Sequence, residues 1–344
     1  MCVRWGADYL VKCHTDQYEL YGQVGNSDQD HSVWTRPEDS TVTRPAYKVT
    51  RDQPGSDLVA ETAAALASAA FLLERDVNYS DELVKHAEEL YRFAKEYPGK
   101  YDNSIKDAHD NYPSTDYKDE LVWAAVWLYL TTEKEEYLTD AGVLYEDADI
   151  GQSSEFSWYD KGPGVMALMA MVTDEDKYKE DLQRYCDDVV YKKPRSPKGM
   201  VFISRWGSLR HASNAAFICL VASHLGVGDK RNYTEFSVHQ LDYILGYHED
   251  GGHSFVVGFG QDPPQRPHHA ASSCPARPKV CDWSAFSNPG PNPIILTGAL
   301  VGGPDNPDDV WEDDRANYVT NEVALDYNAG FSGLLAGVIE LETN

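Results

Sequence analysis

Three clusters of side chains able to do chemistry stand out, and all lie between the regular elements. They are Asp30-His31-Ser32-Val33-Trp34, His268-His269, and the acidic run Asp308-Asp309-Val310-Trp311-Glu312-Asp313-Asp314. Carboxylates can carry protons to a reacting group, and imidazoles can read hydroxyls. The ring census points to the kind of substrate. There are 22 Tyr and 8 Trp against 10 Phe, so most rings carry a polar handle. Such rings suit a partner with apolar faces and a wet rim, and a sugar with C–H faces and a hydroxyl edge is one. Any single ring, taken alone, is more often a packing residue.

The clusters sit in two long stretches, 23–49 and 258–317, which carry few periodic apolar residues; the second is rich in proline. Loops of this length in a compact domain are usually functional. Helical periodicity dominates elsewhere. Leu83, Ala87, Leu90 and Ala94 form one stripe, and about ten such segments begin near Trp5, Asp57, Asp81, Lys118, Glu135, Pro163, Glu175, Ser213, Tyr233 and Tyr327. Ser56-Asp57 and Ser80-Asp81 read as helix starts, Gly226 and Gly246 as helix stops. The best strand signals are Met200-Val201-Phe202-Ile203-Ser204 and Ser254-Phe255-Val256-Val257. With no linker, a single all-α domain over 1–344 is expected.

Lys+Arg of 30 against Asp+Glu of 56 gives a net charge of −26. A surface that acidic repels polyphosphate and disfavours a nucleic-acid partner. The longest uncharged apolar stretch, 62–73, is too short to span a bilayer, so no membrane partner is expected. The six cysteines contain no C-x2-C metal pattern. Cys274 and Cys281 bracket a loop and are spaced for a local disulfide, whereas Cys186 and Cys219 fall in apolar helical patterns as buried thiols. The first residues read as the middle of an amphipathic helix, with no signal-peptide core.

Asp313-Asp314-Arg315, Tyr318-Val319-Thr320-Asn321-Glu322-Val323-Ala324 and Asp326-Tyr327-Asn328-Ala329-Gly330-Phe331 form one patterned block near the C-terminus. Leu241-Asp242-Tyr243-Ile244-Leu245-Gly246, Ser254-Phe255-Val256-Val257-Gly258-Phe259-Gly260 and Arg266-Pro267-His268-His269 form a second. Asp30-His31, Trp34, Pro54-Gly55-Ser56-Asp57, Asp119-Glu120-Leu121-Val122-Trp123 and Trp206-Gly207-Ser208-Leu209-Arg210 precede them in order. The two blocks resemble the C-terminal and the other signature of glycoside hydrolase family 9, and the earlier segments agree, so the resemblance runs from residue 3 to 340. Within the family the chain is similar to the animal, termite-type endoglucanases.

The resemblance implies an (α/α)6 six-hairpin barrel that cuts internal β-1,4 bonds of cellulose-like glucans with inversion. Twelve helices close such a barrel and about ten are read here, so the barrel is expected to be incomplete at the N-terminus, with the flanking helices, including those near Trp5 and Asp57, exposing apolar side chains toward the gap. Inversion needs one carboxyl to protonate the leaving oxygen and another to activate water. The resemblance assigns the acid to Glu322, with Asp313 in support and His268 on the glucosyl unit beside the cut. It assigns substrate contacts to His31, Trp34, Trp206, Arg210 and Tyr318. The family's Asp-Ala-Gly-Asp base motif has no counterpart. Asp140-Ala141-Gly142 is followed by Val143 and lies in a helical pattern far from the motif's place. The chain as written is therefore expected to be weak or inactive.

Two departures touch the substrate region: Ala270 stands for an arginine, and His211 stands where members carry Tyr or His. No cofactor is required by the resemblance, but a structural Ca2+ on Asp116, Asp119 and Glu120 is implied, since hard oxygen ligands suit that ion. Tyr159 precedes Asp160 where a further ligand belongs. Without the resemblance, acidic residues in a first helical turn answer the helix dipole alone. The resemblance implies action outside the cell, and a monomer is expected. The alternatives are a non-catalytic glucan-binding relative and a helical scaffold without a sugar ligand; the latter has little use for the loop aromatics.

Overall fold

The computed structural model describes residues 2–247 and 252–343. Met1, read as part of the first helix, lies outside them. Ten helices of eleven or more residues occur among the described residues, the number the periodicity predicts: α1 (Cys2–Cys13), α2 (Ser56–Leu72), α3 (Val77–Glu96), α4 (Lys118–Thr132), α5 (Glu135–Asp147), α6 (Gly162–Val172), α7 (Asp176–Tyr191), α8 (Ser208–His224), α9 (Lys230–Leu245) and α10 (Leu325–Thr343). The chain divides into two compact units. One comprises 1–30, 42–154 and 159–178, the other 31–41, 155–158 and 179–344.

In the first unit α2 packs against both α3 and α4, and α4 packs against α5 and α6. Helix α2 can be enclosed because Ala60, Ala63, Ala64, Ala67 and Ala70 let neighbouring backbones approach closely, while Leu66 fills the space between. Helix α1 is different. Only Ala7 is buried on it, and Trp5 is 80% exposed. Phe71 and Leu72 are exposed too, at the opposite end of α2 from Asp57, whose neighbours Val59 and Ala60 are buried.

This unit also holds a sheet that the sequence reading missed: β1 (His14–Asp16), β2 (Glu19–Val24) and β3 (Ala46–Thr50), antiparallel in that order. Its strands are short and bury little beyond His14, Leu20 and Val49, so the period-2 signal is thin. Neither expected strand forms as one. Val201 and Val256 make only isolated bridges, to Arg195 and Leu300.

Helix α8 is the centre of the second unit, packed by α9 and α10. Helix α10 meets it through glycines. A Cβ on Gly330 would fall 2.0 Å from the Asn214 amide oxygen, and one on Gly333 would meet the Phe217 ring at 2.9 Å. Close approach therefore depends on residues without side chains. Three helix starts differ from expectation. Helix α3 begins a turn before Ser80, whose hydroxyl instead donates to the Ala70 carbonyl. Helix α9 begins at Lys230, where the Asp229 carboxylate accepts the Asn232 N–H as an N-cap. Helix α8 begins at Ser208, five residues before Ser213, directly after Gly207 at φ +65°. Gly246 ends α9 at φ +80°, as read.

Candidate active site

Glu322 follows the single-turn helix Tyr318–Asn321 and is extended at φ −61°, ψ 148°. It forms a parallel bridge with His268, and the His268 N–H donates to the Asn321 carbonyl at 2.8 Å. On the other side Val323 bridges to Val301. A carboxyl in irregular chain is thus held between two neighbouring segments.

Two hydrogen bonds to this carboxyl reach the same oxygen. The Trp206 indole N–H donates to Oε2 at 3.2 Å, and the Tyr327 hydroxyl donates to it at 3.3 Å. Gly207 makes the pairing possible, because a Cβ there would sit 2.9 Å from the Tyr327 ring. Burial, and then the nearby Glu322 charge, push the Tyr327 phenol well above its ordinary value, so it stays a donor at any working pH. Trp206 and Tyr318 lie side by side with ring centroids 5.3 Å apart, both about half exposed. His268 is 5.9 Å from Tyr318 and 5.2 Å from Trp34.

The His268 ring is fixed from behind. Its Nδ1 lies 2.7 Å from the Arg315 carbonyl, which can only accept, so the proton is on Nδ1 and Nε2 carries a lone pair in the neutral ring. Arg315 is buried and gathers the 285–292 segment by donating to the carbonyls of Ala285, Phe286, Asn288 and Gly290 and to the Asn292 side chain. Asp313 works on the backbone. Its two oxygens accept the N–H groups of Gln265 and Arg266, each at 3.0 Å, just before His268.

Trp34 is mostly buried, with its indole N–H donating to Ser273 Oγ at 2.8 Å. It packs with Cys274, Cys281 and Ala285 in one apolar cluster. The expected Cys274–Cys281 disulfide is formed. The ring exposed beside Trp34 is Trp283, with centroids 5.9 Å apart, and sequence reading did not single it out.

The structure therefore brings Trp34, Trp206, His268, Tyr318 and Glu322 together. Arg210 is adjacent but turned inward: Nη1 donates to Asp326 at 2.7 Å, and Nη2 donates to the Trp206 carbonyl at 3.2 Å. Its guanidinium also lies over the Tyr327 ring, 5.2 Å from the centroid. His31 is exposed at the end of the short helix Ser27–His31, and among the described residues no ring contact joins it to this group.

The residues implied for calcium lie in the first unit. Burial, and then the adjacent Asp119 charge, push the Glu120 carboxyl well above the carboxylate range, and its Oε2 is buried without a hydrogen bond. That orphaned oxygen beside a second carboxylate fits a hard cation. Lys161 lies 3.9 Å from Glu120 and 3.5 Å from Glu61 and supplies part of the missing charge. Asp116 does not join them. It is exposed, and its Oδ1 accepts the Tyr117 N–H. No group of three or more metal-ligating side chains forms among the described residues, so the fit is to the Asp119–Glu120 pair alone. Asp160 accepts the Gly162 N–H at 2.8 Å.

The family model for glycosyl hydrolase family 9 matches residues 2–335. The chain is 49% identical to an endoglucanase from the termite Nasutitermes takasagoensis, with a TM-score of 0.95 over 98% of this chain and 78% of that one. It is 32% identical to endoglucanase CelQ from Clostridium thermocellum, solved with cellotriose, with a TM-score of 0.85 over 97% of this chain and 56% of that one. It is 41% identical to endoglucanase B of Cellulomonas fimi over 98% of its own residues, but spans only 33% of that protein. The fold is the mostly helical (α/α)6 barrel of these relatives.

Proposed function

We propose that this chain, which belongs to glycosyl hydrolase family 9, is an endo-β-1,4-glucanase in which Glu322 protonates the leaving glycosidic oxygen. The observation that carries the reading is the carboxyl of Glu322, hydrogen-bonded on one oxygen by Trp206 and Tyr327 beside the half-exposed Trp206–Tyr318 pair. The two donors occupy Oε2, so the transferable proton belongs on Oε1. The indole and phenol faces offer apolar surface to pyranose C–H groups, and His268 presents Nε2 as an acceptor for a sugar hydroxyl. The relatives' names and the cellotriose bound to CelQ support a β-1,4-glucan substrate. Inversion requires a second carboxylate to activate water, and Glu322 fills only the acid role.

A reducing-sugar assay on soluble β-1,4-glucan, with Glu322→Gln as the comparison, tests the assignment. Hydrolysis lost in Glu322→Gln supports it, and proton NMR of the first-formed anomer should show inversion. Glucan binding without hydrolysis would instead identify a non-catalytic relative. Calcium is the second part of the proposal: held by Asp119 and Glu120, it would neutralise the buried Glu120 carboxylate and its half-buried neighbour and stabilise the fold. The Cys274–Cys281 disulfide suits an oxidising compartment and supports action outside the cell.

A further inference from the structure

Behind the acid lies a buried histidine that touches none of the proposed substrate contacts except through Arg210. His211 is 1% exposed, on the first turn of α8. Arg210 Nη2 lies 2.8 Å from His211 Nε2, and a guanidinium can only donate. Nε2 is therefore a lone pair and the proton sits on Nδ1. That Nδ1 is buried without a hydrogen bond, and the nearest carboxylate oxygen, Glu155 Oε2, is 3.6 Å away. Burial, and then the Arg210 charge, push the imidazole down to about 3, so it is neutral at any pH where the enzyme would work. The contact with Glu155 is thus not an ion pair.

The same Nη2 that donates to His211 also donates to the Trp206 carbonyl. The other arm of the guanidinium holds Asp326, and its face lies over Tyr327. Arg210 consequently touches the backbone of one Glu322 donor and the ring of the other. We propose that His211 is a positioning residue: a neutral imidazole whose Nε2 lone pair orients Arg210, and through it sets Trp206 and Tyr327 on the same oxygen of Glu322. An apolar residue of similar size would remove an acceptor from a buried cation, and Nη2 would keep one fixed partner instead of two.

This inference deepens the reading of Glu322 as the acid, so its first test does not need turnover. The Trp206 indole N–H is followed by NMR, assigned by its loss in Trp206→Phe, and its hydrogen exchange is measured in the full chain. His211→Leu should speed that exchange at least about fivefold, the worth of one net hydrogen bond. His211→Gln, whose side-chain oxygen can accept from Arg210, should keep it near the parent rate. Unchanged exchange in His211→Leu, or equal acceleration in both variants, would overturn the proposal. Should His211→Leu not fold, His211→Phe makes the same comparison. Where glucan hydrolysis is measurable, His211→Leu should lower kcat with KM within about twofold, and His211→Gln should restore it. A protein that hydrolyses nothing would fail the functional reading while the exchange result still decides this one.

Discussion

Trp206 and Tyr327 meet on one oxygen of Glu322 although 121 positions separate them in the sequence, and each arrives by a different route. Trp206 comes from the turn that Gly207 permits; Tyr327 comes from the first turn of α10. Replacing Tyr327 with Phe keeps the ring under Arg210 and deletes only the hydroxyl. One neutral donor to a carboxylate is worth about 1 kcal/mol or somewhat more, so kcat on soluble glucan should fall roughly five- to tenfold with KM little changed. An unchanged kcat would mean that the hydroxyl does not act on the acid. The Trp34, Trp206, His268, Tyr318 and Glu322 grouping was legible because each lies in a block with a recognisable pattern. Tyr327 lay in such a block too, but its helical spacing reads as packing, and a hydrogen bond cannot be seen in periodicity. Arg210 shows the converse. Its type suggests a sugar contact, yet Asp326, in the first turn of α10, draws it inward.

At the scale of elements, helices were legible and the segments between them were not. Long amphipathic stripes average over many residues, whereas β2 rests on one buried leucine and 258–317 is shaped by particular hydrogen bonds. The 274–281 loop is the clearest case. Arg36 donates to the carbonyls of Pro275 and Lys279, Arg277 pairs with Asp39, and the disulfide packs directly against Trp34. This loop is a support for the Trp34 side of the site. The double substitution Cys274→Ala, Cys281→Ala opens a loop with a sequence separation of 7. Chain entropy alone predicts a loss of about 2–3 kcal/mol for so short a loop. The expected result is a lower Tm and several-fold weaker binding of cello-oligosaccharide, read by Trp fluorescence, with the helical circular dichroism retained. Affinity that survives the substitution would show that Trp34 is held well enough by Ser273 and its ring neighbours.

The whole molecule carries a charge of −26, and several of its carboxyls are buried in ways that set how stability follows pH. Burial raises Asp57 above its ordinary 3.8 and Glu155 above its ordinary 4.5. The folded protein then binds these protons more tightly than the unfolded chain does. Their contribution is fully present below the ordinary values and is lost as pH rises through the raised ones. Glu19, Asp39, Asp229 and Asp282 are lowered by hydrogen bonds from their partners, so they act oppositely, and what they add is lost as pH falls below about 4. All four are at the surface, where such pairs contribute little. Mutual repulsion among the ionised carboxylates also grows with pH and is screened by salt. Tm should therefore peak on the acid side, near pH 5, and decline toward pH 8. Sodium chloride should recover part of the loss at pH 8 and little at pH 5. Calcium should do more than sodium at equal ionic strength, because binding only the folded state adds about 2.7 kcal/mol at a concentration of 100 Kd. Glu120→Gln should abolish that excess while leaving the sodium effect intact. Scanning calorimetry at pH 5 and pH 8 with each salt separates the cases: a Tm that climbs steadily from pH 5 to 8 would contradict the burial argument, and a calcium effect no larger than sodium's would remove the Asp119–Glu120 site.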